Sequence, residues 1–134
     1  MKKLLFLITL ILATNGVAQD KKSKNEKEAP FVIVELMPQF KGGEEAKQKF
    51  IQKNIVYPEK AKLDGITGTC YVTFVVEKNG EITDAKILRG VTNGAELDKE
   101  ALRVINIMPK WKPGKQNGKK VRVQYNLPIK FVLK

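Results

Sequence analysis

The feature that most constrains the fold is an alternating segment at the end of the chain, residues 121–133. Apolar residues occupy every second position, and polar residues or a proline occupy most positions between them. This is the period of a β-strand with one buried face. Pro128 lies near the middle and has no N–H to donate, so the segment is predicted to be an edge strand. An edge strand has unpaired backbone groups, to which an extended peptide can add as one more strand.

Two further strands are predicted upstream, Thr69–Glu77 and Glu81–Leu88. The Asn79-Gly80 pair between them is the strongest short-range signal for a β-hairpin. The second strand loses its alternation near Asp84, which predicts a β-bulge there. Phe31–Leu36 is a short apolar run that fits either a strand or an extended arm lying on the core.

Helices are predicted on both sides of this hairpin. One covers residues 44–53, and a second, short one begins at Pro58 and stops at Gly65. A third follows the hairpin, with Asn93 and Glu96 predicted to form a capping box and the helix ending before Pro109. The order strand, strand, helix, strand predicts a two-layer α+β domain, an antiparallel three-stranded sheet with helical segments in front of it.

The residue inventory argues against an enzyme. The chain has no histidine, one cysteine and one serine, so the usual nucleophile–base pairs and zinc sites cannot be assembled, and no cofactor or metal is expected. Most of the candidate acids fall in predicted first helical turns, where they complement the helix dipole. Cys70 is in phase with Val72 and Phe74 and is predicted to be buried core, while Trp111 is predicted to cover the edge of the core.

The first residues have the pattern of a secretory signal: two lysines, a short apolar run, and small residues ending at Ala18. Cleavage there would start the mature, exported chain at Gln19. The alternative is an uncleaved anchor that holds the chain in the inner membrane, although the apolar run is about half of the roughly 20 residues that a spanning helix needs. Residues 19–30 form a charged linker, and residues 31–134 form the domain.

The formal net charge is +11. In an exported protein this excess favours anionic envelope surfaces or acidic peptide segments as partners, and not nucleic acid.

Several short motifs, in this order and spacing, resemble the C-terminal domain of TonB in its Bacteroidetes-type form. The resemblance covers about residues 34–133. The matching pieces are Met37-Pro38-x-Phe40-x-Gly42-Gly43, Tyr57-Pro58-x-x-Ala61, Gly65-Ile66-x-Gly68, Asn79-Gly80, Leu97-Asp98-x-x-Ala101, Met108-Pro109-x-Trp111-x-Pro113-Gly114 and Leu127-Pro128-Ile129-x-Phe131.

The resemblance implies a partner and a site. In that family the last strand pairs with the TonB box, a short segment of the plug domain of an outer-membrane transporter, and the box also passes near a Tyr-Pro element. Carried onto this chain, the peptide-binding residues are Arg122, Val123, Gln124, Tyr125, Asn126, Leu127, Tyr57 and Pro58.

Three functions remain open at this point. The first is a periplasmic TonB-like module that binds transporter boxes by strand addition. The second is a complete energy transducer, anchored by its signal and coupled to motor-complex proteins, although the linker from 19 to 30 reaches only roughly 40 Å when extended. The third is a structural envelope protein that binds anionic cell-wall polymer. A homodimer formed by two edge strands is a further alternative.

Overall fold

The computed structural model describes residues 28–134. The predicted signal peptide, residues 1–18, and residues 19–27 of the predicted linker lie outside the described residues. The helices and strands, in chain order, are α1 (Gly43–Asn54), α2 (Glu59–Leu63), β1 (Gly68–Val76), β2 (Ile82–Arg89), α3 (Ala95–Asn106), β3 (Gly114–Gln116), β4 (Lys119–Val121) and β5 (Val123–Phe131).

The main sheet has three antiparallel strands in the order β2-β1-β5. The prediction that the last strand lies at an edge is therefore confirmed. Pro128 is opposite Tyr71 of β1, and this pairing leaves the missing N–H on the side that faces away from the sheet. The predicted α+β fold with an antiparallel three-stranded sheet is also confirmed.

The predicted final strand is divided at Arg122. Residues before it belong to β4, which pairs with β3 across the turn at Asn117 and Gly118. Residues after it belong to β5, which pairs with β1. Val121, the last residue of β4, is half-buried and has the same parity as the buried positions of β5. The alternation in the sequence therefore runs through this point, and the change of pairing partner leaves no mark on it.

The inner face of the sheet packs beneath α3 to form the core. Cys70, Val72, Phe74 and Val76 of β1 have no exposed surface, which confirms the predicted phase of this strand. The residues of α3 that complete the core are Leu97, Ala101, Val104 and Ile105.

The hairpin turn between β1 and β2 docks on the segment that carries Trp111. The backbone N–H of Trp111 donates to the Gly80 carbonyl at 2.8 Å. A Cβ atom at Gly80 would lie 2.2 Å from the backbone carbonyl oxygen of Trp111. Only glycine fits this approach. Trp111 itself is 2% exposed, so it lies deeper in the core than the predicted position at the core's edge.

The bulge predicted in β2 is confirmed. The pairing of β1 with β2 shifts register between Thr73 and Val75, and Asp84 adopts a positive φ of 55°. The predicted capping box at α3 is wrong. Asn93 has a φ of 59° and the N-cap position falls on Gly94, with no side-chain capping hydrogen bond. Instead, the Asp98 carboxylate accepts the Val91 N–H at 3.1 Å and ties the preceding loop to the helix.

Residues 31–39 form an extended arm and not a regular strand, which settles the two options for Phe31–Leu36. Single β-bridges connect the arm to the body of the domain, Phe31 to Val123, Leu36 to Lys115 and Gln39 to Lys112. No helix within residues 28–134 has the length and apolar character needed to cross a bilayer.

Candidate functional site: the open edge of the last strand

The outward direction of the β5 backbone follows from one hydrogen bond. The Gln124 N–H donates to the Phe31 carbonyl at 2.7 Å, on the side away from β1. Backbone groups in an antiparallel pair alternate between the partner strand and the free side. Asn126, Pro128 and Lys130 therefore present their backbone groups to the same free side as Gln124.

The arm covers the first part of this edge. Phe31 accepts from Gln124 and donates its own N–H to the Arg122 carbonyl at 2.9 Å, so it forms a parallel bridge at Val123. The arm thus bonds the Arg122 carbonyl and the Gln124 N–H and covers the first three predicted site residues, Arg122, Val123 and Gln124.

The side chain of Arg122 is also engaged. Its Nε and Nη2 donate to the two carboxylate oxygens of Glu77 at 2.8 and 3.2 Å, and its Nη1 donates to the Glu28 carbonyl. The bond to Glu77 raises the pKa of Arg122. These contacts fix the junction between β4 and β5, so Arg122 has a structural role in the described part of the chain.

The second part of the edge, from Asn126 to Lys130, is open. Asn126, Pro128 and Lys130 are exposed, and none of their backbone groups has a backbone partner outside the strands among residues 28–134. Because the backbone groups of these three residues point outward, this stretch has two free donors, the N–H groups of Asn126 and Lys130. It also has three free acceptors, the carbonyls of all three residues. Tyr125 and Leu127 face the core and contribute to the site only through their position in β5.

The Tyr-Pro element lies at the far end of β5. The ring of Tyr57 packs edge-on against Phe131 at 5.7 Å between centroids, and its hydroxyl donates to the Ile66 carbonyl. Pro58 occupies the N-cap position of α2. The structure therefore places Tyr57 and Pro58 beyond Lys130, at the opposite end of the strand from Arg122.

The other edge strand of the sheet, β2, pairs less regularly with β1 than β5 does. Its pairing with β1 is interrupted by two register shifts, and bulges of this kind protect an edge against further pairing. By contrast, β5 pairs with β1 without interruption from Val123 to Phe131. Of the two edges, β5 is the one with the regular geometry that strand addition needs.

Groups suited to catalysis do not cluster at this edge. Cys70 is fully buried, and desolvation raises the pKa of its thiol to about 12. Within residues 28–134 no group of three or more His, Cys, Asp or Glu side chains is placed to hold a metal ion. Glu100 accepts hydrogen bonds from Arg103 and from the Val56 N–H, which lower its pKa and connect α3 to the segment before Tyr57.

A model of the family described as the Gram-negative bacterial TonB protein C-terminal matches residues 53–133. This is more than half of the chain. The chain belongs to the TonB C-terminal family. The matched region contains the Tyr-Pro element and all five strands that the structure describes, whereas the arm and most of α1 precede it.

Solved structures of TonB C-terminal domains resemble this fold. The Helicobacter pylori domain of residues 179–285 is 28% identical, with a TM-score of 0.51, and the match covers 65% of this chain and 77% of that one. A shorter form, residues 194–285, is 27% identical with a TM-score of 0.51 and coverage of 67% and 92%. The Pseudomonas aeruginosa domain is 26% identical with a TM-score of 0.47 and coverage of 60% and 79%.

A comparison with curated protein sequences gives no match. Membership of the TonB C-terminal family associates this chain with TonB-dependent transport at the cell envelope and, through it, with outer-membrane transporters.

Proposed function

We propose that this TonB C-terminal domain binds extended segments of outer-membrane transporters by strand addition to β5, in the periplasm. The observation that supports this best is the open stretch from Asn126 to Lys130. It combines a regular strand, exposed positions and outward backbone groups that lack backbone partners outside the strands within residues 28–134. Main-chain hydrogen bonds supply the affinity in this mode of recognition.

The location of the site differs in part from the one carried over by the family resemblance. Arg122 to Gln124 are covered by the arm, so we place the pairing surface at Asn126 to Lys130 and keep Tyr125 and Leu127 as the residues that hold it in register. A segment running along this stretch toward Phe131 would approach Tyr57 and Pro58. The proposed site thus consists of the second half of β5 and the Tyr-Pro element at its end.

The experiment is an amide hydrogen-exchange measurement by NMR on the mature domain, with and without a synthetic peptide of a transporter's TonB box. We expect the Asn126 and Lys130 amides to become protected on binding, while amides of the bulged strand β2 do not change. Protection confined to β2 would contradict the proposal. Signal shifts confined to basic surface residues, with no β5 amide protected, would also contradict it and would favour an envelope protein that binds polyanions. Protection of β5 without peptide, rising with protein concentration, would instead identify a homodimer formed through this edge.

We also propose that the chain is exported and loses its signal after Ala18, so that it binds its partner as a released domain. The mature protein should then be about 2 kDa lighter than the full chain, as removal of a signal peptide predicts. A full-length mass in the membrane fraction, with capture of motor-complex proteins, would support an anchored energy transducer in its place.

A further inference from the structure

The arm and the β3–β4 hairpin share one row of side chains. Leu36 of the arm is bridged to Lys115 of β3 in an antiparallel pair, and Lys115 lies opposite Lys120 of β4. Directly opposed residues of antiparallel strands place their side chains on the same face. Leu36, Lys115 and Lys120 therefore form a row across three neighbouring segments, with one apolar and two cationic members.

This row faces away from the body of the domain, because the opposite face of the hairpin packs on β5. Gly114 is buried and lies opposite Val121, and a Cβ atom at Gly114 would lie 2.7 Å from a side-chain carbon of Val123. Successive residues of a strand alternate between the two faces. Lys115 and Lys120 are therefore directed outward, and both are exposed.

Apolar side chains of the arm are exposed next to this row. Ile33 is 81% exposed, Val32 is 65% exposed and Leu36 is 54% exposed. Contiguous exposed apolar side chains, unlike scattered ones, mark a site of interaction with a protein or a membrane. We call the surface formed by Val32, Ile33, Leu36, Lys115 and Lys120 the arm–hairpin surface.

The positive charge of this surface is not neutralised. Neither Lys115 nor Lys120 has an ion-pair partner within residues 28–134, and residues 101–134 contain no aspartate or glutamate. The acid of the arm, Glu35, accepts a backbone N–H of the hairpin turn at 2.8 Å. This bond ties the arm to the hairpin, and one carboxylate leaves the surface with a net positive charge.

Exposed apolar groups beside unpaired lysines restrict the chemistry of the partner. A polyanionic polymer pairs with lysines but offers no hydrocarbon to cover the apolar side chains. A second copy of the chain offers apolar surface but brings the same lysines together. A bilayer with anionic headgroups offers phosphates to the ammonium groups and acyl chains to the apolar side chains. Lysines suit such an interface because their stems lie along apolar surface while the charge stays in water.

We propose that the arm–hairpin surface binds an anionic lipid bilayer, with the apolar side chains of the arm in the interface and the hairpin lysines at the headgroups. This inference goes beyond strand addition and does not depend on it. The arm is bonded to Gln124, and Lys130 lies six residues, or about 20 Å, further along β5. Binding through the arm would therefore hold the open edge of β5 close to the bilayer.

The test measures the partition of the mature domain onto sedimented vesicles. One set of vesicles contains phosphatidylethanolamine and phosphatidylglycerol, and the other contains phosphatidylcholine alone. The double change Lys115→Gln with Lys120→Gln removes charge from the surface. Ile33→Ser and Leu36→Ser each remove an exposed apolar side chain. Amide spectra first confirm that every variant is folded.

The matched controls flank the Tyr-Pro element, at the far end of β5. Lys53→Gln with Lys62→Gln removes two exposed charges, and Leu63→Ser removes a leucine that is 77% exposed. The same proteins are also mixed with nanodiscs that contain a spin-labelled anionic lipid. The label broadens the amide signals of residues that lie at the bilayer, so it locates the contact.

We expect the wild type to bind the anionic vesicles at least about tenfold more tightly than the neutral ones. Loss of both hairpin lysines should weaken binding by about tenfold or more, and each apolar change should weaken it by about fivefold. Both control variants should bind within about twofold of the wild type. The spin label should broaden the signals of Ile33 and Lys115 more than that of Leu63.

Four results would overturn the proposal. The first is no binding to anionic vesicles, and the second is equal binding to both lipids. The third is an equal loss in the hairpin-lysine and control-lysine variants, which would mean that net charge alone drives binding. The fourth is a loss in the hairpin-lysine variant with none in the apolar variants, which would identify a polyanion site. Strand addition is tested separately, by affinity for a TonB-box peptide without lipid.

Discussion

Phe31 pairs with Gln124: the Gln124 N–H donates to the Phe31 carbonyl at 2.7 Å. Through this pairing the arm of the chain occupies the edge of its own last strand at Val123. The edge that remains for a partner begins at Asn126, two residues after Gln124, so substitutions that test the binding mode must lie at or beyond Asn126.

The first prediction concerns this arm. A variant that begins at Val34 lacks Phe31, so the Gln124 amide loses its acceptor and should exchange with solvent much faster than in the mature chain. The Tyr125 amide points to β1 and should keep its protection, which serves as the internal control. Equal exchange at Gln124 in both proteins would mean that the arm does not pair with β5 in solution.

The second prediction concerns pH dependence at Glu100. Hydrogen bonds from Arg103 and from the Val56 N–H lower the pKa of Glu100 below its ordinary value of 4.5. A carboxylate with a lowered pKa in the folded state stabilises the fold above its unfolded pKa, and this contribution is lost as the pH falls through the folded pKa. Glu100→Gln keeps an acceptor oxygen for Val56 and removes the charge, so it should cost about 1 kcal/mol at neutral pH.

The measurement is urea unfolding of both proteins between about pH 6 and about pH 3. The difference in unfolding free energy should shrink as the pH falls. Glu96→Gln, an exposed change on the same helix, controls for the removal of a carboxylate from α3. A difference that stays constant across this range would mean that the charge of Glu100 does not stabilise the fold.

The third prediction is that Cys70 is structural. Its thiol is fully buried, and its pKa of about 12 leaves almost no thiolate at neutral pH. Cys70→Val should fold and bind peptide as the wild type does. Rapid labelling of the native protein by a thiol reagent would contradict this assignment.

The fourth prediction concerns the anchor of the core. Phe74 is fully buried and packs against Trp111, with 5.4 Å between ring centroids. Phe74→Ala should lower the free energy of unfolding by about 3–5 kcal/mol, because truncating a buried aromatic ring leaves a cavity. Leu88→Ala, at an exposed position of β2, should change it by less than about 0.5 kcal/mol. Thermal unfolding measures both, and similar melting temperatures for the two variants would place Phe74 outside the core.

The sequence predicted the elements whose signals are local. Pro128 indicated an edge strand because a missing N–H restricts where a residue can lie in a sheet. Asn79-Gly80 indicated the hairpin, and the lost alternation near Asp84 indicated the bulge. The capping box failed because Asn93 adopts a left-handed conformation, which the Asn-x-x-Glu spacing does not reveal.

The features that were missed depend on contacts distant in the chain. The family resemblance placed Gln124 among the peptide-binding residues, but its N–H is bonded to Phe31, ninety-odd positions earlier, and local periodicity carries no information on that pairing. The burial of Lys47, which is 4% exposed, was also missed, although a signal was present. It lies three and four positions before Phe50 and Ile51, so it shares their face of α1, and a lysine on an apolar face is an unusual position for a charge.

The most direct test of strand addition compares Asn126→Pro with Asn126→Ala. Proline removes the outward N–H of Asn126 and leaves the bonds of its neighbours to β1. The strand already accepts a proline two positions later, at Pro128, on the same side, so folding should survive and is confirmed first by the amide spectrum. Alanine removes the side chain and keeps the N–H.

Affinity for a transporter's TonB-box peptide is measured for both variants by titration calorimetry. We predict that Asn126→Pro weakens binding by about tenfold or more, since one hydrogen bond is lost and its acceptor on the peptide is left unpaired. Asn126→Ala should bind within about twofold of the wild type, because that backbone hydrogen bond is retained. Equal affinities of the two folded variants would contradict strand addition at β5.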